Sequence, residues 1–205
     1  MNKLDYIIPC FRGAEYVAST TDPLTLPVSR DRPFVVFVGR SNSGKSTLLS
    51  ALCDHKNLAR ASKTAGKTRA LNFFQIDDKN YGKFYLVDMP GYGYAKLSKE
   101  EKKSLRELID TFLTNENQIC FILIVLDARR KIGEEEKNII AYCNDSNTQF
   151  LFARTKWDKL NSLEKKASRQ LWKKETISKY CIPVSSTKKI GLENILDKIK
   201  NSIKE

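Results

Sequence analysis

The chain has 205 residues, enough for one domain with a full hydrophobic core. Apolar residues at 41% and charged residues at 29% fit a globular protein in water, and no apolar run approaches the ~20 residues that cross a bilayer. A formal net charge of +12, from 36 Lys and Arg against 24 Asp and Glu, points instead to an anionic partner.

The N-terminal stretch has no charged start followed by a long apolar segment, so no signal peptide is expected. Five cysteines (Cys10, Cys53, Cys120, Cys143 and Cys181) are odd in number and scattered. Neither a disulfide framework nor a zinc pattern follows from them; buried free thiols in a reducing cytoplasm do. Residues 1–30 lack a strong period, and Asp22-Pro23 and Leu26-Pro27 break any helix there. They are expected to form an extended arm packed on the domain.

From residue 31 onward strand and helix patterns alternate. The apolar run Phe34 to Val38 reads as a strand, and a helix is expected from Lys45 to Cys53. Between them Gly39-Arg40-Ser41-Asn42-Ser43-Gly44-Lys45-Ser46 fits the phosphate-binding pattern GxxxxGK[ST]. The glycines let backbone N–H groups turn inward around phosphates, and the helix dipole favours the same negative charge. Lys45 would reach the β- and γ-phosphates, and the Ser46 hydroxyl would sit on Mg²⁺.

Ala61 to Thr68 is small, polar and glycine-containing, as a switch segment should be. A threonine hydroxyl there would complete the Mg²⁺ shell when the γ-phosphate is present. Thr68 is favoured, because Gly66 and Lys67 precede it and the next strand begins soon after; Thr64 is the competitor. Arg69 and Ala70 are grouped with Gly66, Lys67 and Thr68 as nucleotide-binding residues.

Strands are predicted at Leu71 to Ile76 and Lys83 to Val87, the second ending in Asp88-Met89-Pro90-Gly91. A carboxylate there can hold Mg²⁺ through a water, and the Gly91 N–H can meet the γ-phosphate. A helix is predicted from Ser98 to Leu113. The strand Ile119 to Leu126 is apolar throughout, as expected when both faces are covered, and a helix from Glu134 to Cys143 follows.

Gln149 to Ala153 reads as a strand leading to Thr155-Lys156-Trp157-Asp158. Guanine presents two adjacent donors, N1–H and the N2 amino group, which one carboxylate accepts together. Adenine would leave Asp158 facing an unpaired edge, a mismatch that discriminates by about 10⁴ in favourable sites. The Lys156 stem can lie along the base.

Asn161 and Glu164 form a capping pair for a helix expected from Asn161 to Glu175. Leu160, Leu163, Ala167 and Leu171 read as its apolar stripe, with Lys165, Lys166, Arg169, Lys173 and Lys174 on the remaining surface. Basic residues gather between Lys56 and Arg69 and again between Arg154 and Lys189. A last strand from Cys181 to Val184 leads to Ser185-Ser186-Thr187, whose N–H groups could bind guanine O6. Gly191 then opens an amphipathic helix from Leu192 to Ile203.

These elements describe an α/β domain over residues 31–205, a doubly wound, mostly parallel six-stranded sheet with helices on both faces. Four phosphate- and base-directed segments at strand ends read as a GTPase. An ATP-preferring kinase on the same loop is disfavoured by Lys156 and Asp158.

Three strings carry a resemblance: Gly39-Arg40-Ser41-Asn42 with Gly44-Lys45-Ser46, Lys63-Thr64-x-Gly66-Lys67-Thr68, and Asp88-Met89-Pro90-Gly91-Tyr92-Gly93-Tyr94-Ala95. Over nearly its whole length the chain resembles the EngB (YihA/YsxC) GTPases of the TrmE–Era–EngA–YihA–septin-like group, whose base motif takes the same Thr-first form. The resemblance implies a bacterial cytoplasmic GTP/GDP switch that assists assembly of the large ribosomal subunit through rRNA and ribosomal protein, and is linked to normal cell division and septation. A monomer with no membrane partner is expected. The alternative is a nucleotide-gated docking module whose hydrolysis only resets binding.

Thr155 stands where most GTPases carry asparagine and leaves open the bond that asparagine makes to base and loop. Trp157 is expected to have only a packing effect. A water-orienting glutamine often follows the glycine of Asp-x-x-Gly; Tyr92 is here instead, so slow intrinsic turnover is expected. The catalytic set is therefore Lys45, Asn42 and Thr68. In related GTPases an asparagine at the place of Asn42 helps hold a potassium ion beside the phosphates, so K⁺ is the expected activating cation. A loop-stabilising side-chain hydrogen bond is the other role open to Asn42.

Overall fold

The computed structural model describes residues 10–55, 70–93, 98–175 and 177–204. In chain order the elements are β1 (Glu15–Thr20), β2 (Phe34–Gly39), α1 (Lys45–Leu52), β3 (Leu71–Asp78), β4 (Gly82–Asp88) and α2 (Lys99–Asn115). They continue with β5 (Ile119–Asp127), α3 (Glu134–Asp145), β6 (Gln149–Thr155), α4 (Ser162–Lys174), β7 (Cys181–Pro183) and α5 (Leu192–Lys204).

The strands form one sheet in the order β1-β3-β4-β2-β5-β6-β7. Strands β4, β2, β5, β6 and β7 run parallel, while β3 is antiparallel to both β4 and β1. Every residue of β2 is buried, because the period of two sends alternate side chains into separate cores. Phe34, Val36 and Val38 meet Leu105, Phe112, Ile139 and Trp172 from α2, α3 and α4. Val35 and Phe37 meet Leu48, Leu49, Ile195 and Ile199 from α1 and α5. The parallel strands thus deliver their C-terminal ends, and the loops that follow, to one edge of the sheet.

The sheet has one strand more than the sequence announces, supplied by the arm. A bulge between Tyr16 and Ala18 interrupts the period of β1, and Val17 stays 41% exposed, so alternation is lost as a signal. Just before it, Phe11 is fully buried, edge-on to Tyr81 and Phe84 with centroids 5.1 Å away in each case. Its N–H donates to the Leu52 carbonyl at 2.8 Å, tying the arm to the end of α1.

The predicted stripe of α4 is its buried face only in part: Leu160 is buried and Leu171 packs partly against the core, while Ala167 is exposed. Leu163 is 80% exposed, and the helix buries Ser168 and Trp172 instead. Asn161 and Glu164 do form the capping box, which sets where the helix starts. Its rotation is then set by the Ser168 hydroxyl, which donates to the Ala128 carbonyl, and by Trp172 packing at a tilt against Trp157, centroids 5.4 Å apart. Those two anchors outweigh the small leucine–alanine stripe. All five cysteines are free, with Cys53 and Cys143 buried. Among the described residues no helix is long and apolar enough to cross a membrane.

Candidate nucleotide-binding site

Gly39 to Ser46 links β2 to α1 at the C-terminal edge of the sheet. A side chain at Gly39 would lie 2.4 Å from the Val125 carbonyl of the neighbouring strand, so only glycine fits where the loop leaves β2. Gly44, the N-cap of α1, has φ +96°, and the helix start has neither a capping side chain nor an acidic residue in its first turn. The N–H groups there stay available to an anion.

Three neighbouring segments brace the loop. Ser41 donates its N–H to the Tyr92 carbonyl at 2.8 Å, and Tyr92 returns its own N–H to Gly39 at 3.3 Å. The Thr155 hydroxyl donates to the Ser43 carbonyl, and Lys156 Nζ donates to the Asn42 carbonyl at 2.6 Å. Thr155 therefore makes the loop contact itself. Asn42 is exposed with φ +62°, and among the described residues its side chain makes no hydrogen bond; the loop is stabilised through its carbonyl instead.

Lys45 and Asp88 form an ion pair whose side chains are each 9% exposed. Register delivers the aspartate: Phe37 of β2 pairs with Asp88, and Met89 N–H donates to the Phe37 carbonyl at 3.0 Å. Pro90 and Gly91 follow, with Gly91 packed so closely that a side chain would come within 3.1 Å of Ser41 N. Among the described residues no cluster of three or more His, Cys, Asp or Glu could hold a metal alone. A few hard oxygen donors (Ser46 and Asp88) beside a phosphate cradle suit Mg²⁺, which keeps waters and takes phosphate oxygens. Gly66, Lys67, Thr68 and Arg69, with the rival Thr64, lie outside the described residues; Ala70 is buried where β3 begins.

Tyr92 is turned into the fold. Its hydroxyl donates to Glu136 Oε1 at 2.9 Å, while Glu136 Oε2 accepts the Gly133 N–H at 2.7 Å at the start of α3. Burial first, and then the Glu136 carboxylate, push the Tyr92 hydroxyl well above its ordinary pKa. Arg40 reaches the same helix through Glu135 at 3.4 Å. Tyr92→Phe should cost about 1–3 kcal/mol of stability by leaving a buried carboxylate oxygen unpaired, read as a lower denaturation midpoint. Hydrolysis should stay within about twofold of wild type; a tenfold loss would restore a role for Tyr92 at the reacting water.

The base loop is assembled from three strand ends. Lys156 has φ +59°, after which Trp157–Lys159 form a 3₁₀ turn. Trp157 N–H donates to the Val184 carbonyl at 3.0 Å, drawing the β6 and β7 loops together. Asp158 consequently lies beside the buried Ser185 and accepts from the Thr187 hydroxyl at 3.4 Å, while Ser186 is half-buried. A hydrogen bond from Ser185 holds the Asp158 carboxyl below its ordinary pKa.

Two residues without a sequence signal complete the site. Asp127, at the end of β5, lies 3.2 Å from Lys156 Nζ and takes a fork from Arg129 at 2.9 and 2.6 Å. Burial alone would raise its carboxyl, but the bonds from Arg129 and Lys156 hold it well below the carboxylate range. Arg154 is fully buried beneath the loop, its guanidinium 5.3 Å from the Trp172 ring centroid. It donates to the carbonyls of Arg130 at 2.6 Å and Ala128 at 3.5 Å. The only hint of it in the sequence is an arginine inside an apolar strand.

A family model described as 50S ribosome-binding GTPase matches residues 34–156. The probable GTP-binding protein EngB of Chlorobaculum parvum is 35% identical over 188 residues, which cover 91% of this chain and 95% of that protein. The chain belongs to the EngB family of GTPases. The EngB proteins of Clostridium botulinum (38% over 191 residues; 92% of this chain, 94% of that one) and Thermoanaerobacter pseudethanolicus (41% over 166; 80% and 84%) agree. A crystal structure of a probable EngB aligns with a TM-score of 0.65 at 25% identity, covering 83% of this chain and 98% of that one. The structure of Era with MgGDPNP and nucleotides 1506–1542 of 16S ribosomal RNA aligns at 0.64 with 25% identity, over 84% of this chain and 57% of that one. As an EngB-family member the chain is a P-loop enzyme that binds and hydrolyses GTP, and enzymes of this fold use Mg²⁺ with the nucleotide.

Proposed function

We propose that this EngB-family GTPase is a slow cytoplasmic switch that assists assembly of the large ribosomal subunit, and that normal cell division and septation depend on it. The observation that carries the reading is Tyr92. The residue after Gly91, where a water-orienting group is wanted, is committed to Glu136 inside the fold. A chain with a complete phosphate loop and no such group there needs acceleration from a partner. The family model's own description, ribosome binding, and the rRNA bound to its structural relative Era support a ribosomal partner.

In this reading the N–H groups of residues 44–46, at the uncapped start of α1, cradle the phosphates. Lys45 exchanges its bond to Asp88 for the β- and γ-phosphate oxygens, keeping one cation and one carboxylate in the same dry space. Ser46 and Asp88, with Thr68 from the switch segment, would hold Mg²⁺, which would offset the phosphate charge. The Gly91 N–H meets the γ-phosphate. Asp158 accepts the two guanine donors, Lys156 covers the base, and the Ser185–Thr187 turn closes over O6. Asn42, exposed beside this cradle, would help hold K⁺ there, where a cation can stabilise charge on the transferring group.

Single-turnover hydrolysis with and without large subunits, in potassium and in sodium buffers, tests both parts. Stimulation of order 10² or more by subunits is expected, faster in potassium. Subunits that bind the GTP-loaded protein without changing its rate would favour a docking module whose hydrolysis only resets it. Equal rates in the two salts would remove the cation role of Asn42.

A further inference from the structure

Among the described residues, a dense group of exposed positive charge lies on the base side of the molecule, on α4 and on the loop that runs into Gly133 and Glu136. Arg129, Arg130 and Lys131 are exposed on the loop after β5, and Lys166, Arg169, Lys173 and Lys174 on α4. The two segments adjoin. The Ser168 hydroxyl holds Ala128, and Glu175 Oε1 accepts the Ile132 N–H at 3.1 Å, so the loop runs along the helix. Arg154 fixes the loop from below through the carbonyls of Ala128 and Arg130. Among the described residues Lys131, Lys166, Lys173 and Lys174 have no carboxylate within ion-pair distance; Arg129 is held by Asp127. Lys165 to Lys174 place five cations along about 13.5 Å of helix, roughly one per 3.4 Å, the line density of phosphates on a nucleic-acid strand.

This face is tied to the base loop. Asp127 holds both Arg129 and Lys156, and Trp157, the residue before Asp158, packs under Arg169 at 5.3 Å and Lys165 at 6.0 Å. We propose that α4 and the 129–131 loop together form an RNA-docking surface, braced by the residues at the base end of the nucleotide site. The proposal rests on the reading of a ribosomal partner above and names the face that meets its RNA.

The test is anisotropy of a labelled RNA duplex of about 20 base pairs, titrated with the full chain loaded with a GTP analogue across a salt series. Lys131→Gln/Lys166→Gln/Lys173→Gln is compared with Lys99→Gln/Lys103→Gln/Lys198→Gln, which removes equal charge elsewhere. The first triple should weaken binding about tenfold or more near 0.1 M salt and shallow the salt slope by about 2, as lost phosphate contacts require. The second should stay within about twofold. Equal weakening by both triples would reduce the effect to diffuse charge. Competition by polyglutamate at matched charge, or equal binding to anionic vesicles, would overturn RNA as the partner. If subunits stimulate hydrolysis in the first triple as in wild type, with duplex affinity unchanged, this surface fails and the ribosomal reading stands. Duplex binding that depends on the first triple, with no stimulation by subunits, supports the surface and removes the assembly role.

Discussion

Lys45→Met should abolish most GTP turnover, lowering kcat by about 10³-fold, and should also destabilise the fold. Two effects combine. The ammonium is the buried cation of the phosphate loop, Arg40 being turned to Glu135, and loss of a single buried donor to a transferring group already costs about 10²–10³-fold. The same ammonium neutralises Asp88, with both side chains only 9% exposed. Removing one member of a buried pair leaves an uncompensated charge worth about 3–5 kcal/mol. The double variant Lys45→Met/Asp88→Asn separates them: stability should return toward wild type in a denaturant titration, while turnover stays lost. A double variant as unstable as the single would mean that the Lys45–Asp88 pair is not what holds this corner. Near-normal turnover in Lys45→Met would remove the residue from the chemistry.

Asp158→Asn should lower GTP affinity by about 10³-fold, some 4 kcal/mol, by replacing two charge-assisted acceptors with one acceptor and one donor. The amide donor would then face the guanine 2-amino group, donor against donor. Xanthine carries a carbonyl at that position, so xanthosine triphosphate should become the preferred ligand of the variant while ATP remains weak. Displacement of a labelled diphosphate by the three triphosphates reads the inversion directly. Retention of GTP affinity within about threefold would show that the base is read elsewhere. The wild-type carboxyl is held below its ordinary pKa by Ser185. It is ionised well below neutrality, so GTP affinity should be flat from about pH 6 to 8.

Much of the fold was legible because its signals are local. Five of the strands are apolar runs of the right length, and β2 and β5 are buried along nearly all of theirs. The Asn161–Glu164 cap is a spacing of three residues, and Leu192, Ile195, Leu196 and Ile199 are a helical stripe that is buried as the period implies. The failures have physical causes as well. Strand β1 hides behind a bulge, and the face of α4 is chosen by Ser168 and Trp172 finding distant partners rather than by the leucines.

At the site the division runs along the same line. The sequence by itself located the glycine loop, the Asp88–Gly91 turn and the Thr155–Asp158 tetrapeptide at strand ends, since each is a short string with its own spacing. Only the tertiary structure decided that Thr155 braces Ser43, that Asp127 grips Lys156, that Tyr92 is spent on Glu136, and that Arg154 underpins the basic face. Those contacts join residues up to 112 positions apart. Sheet register and burial create them, and neither has a signature in any one segment of the chain.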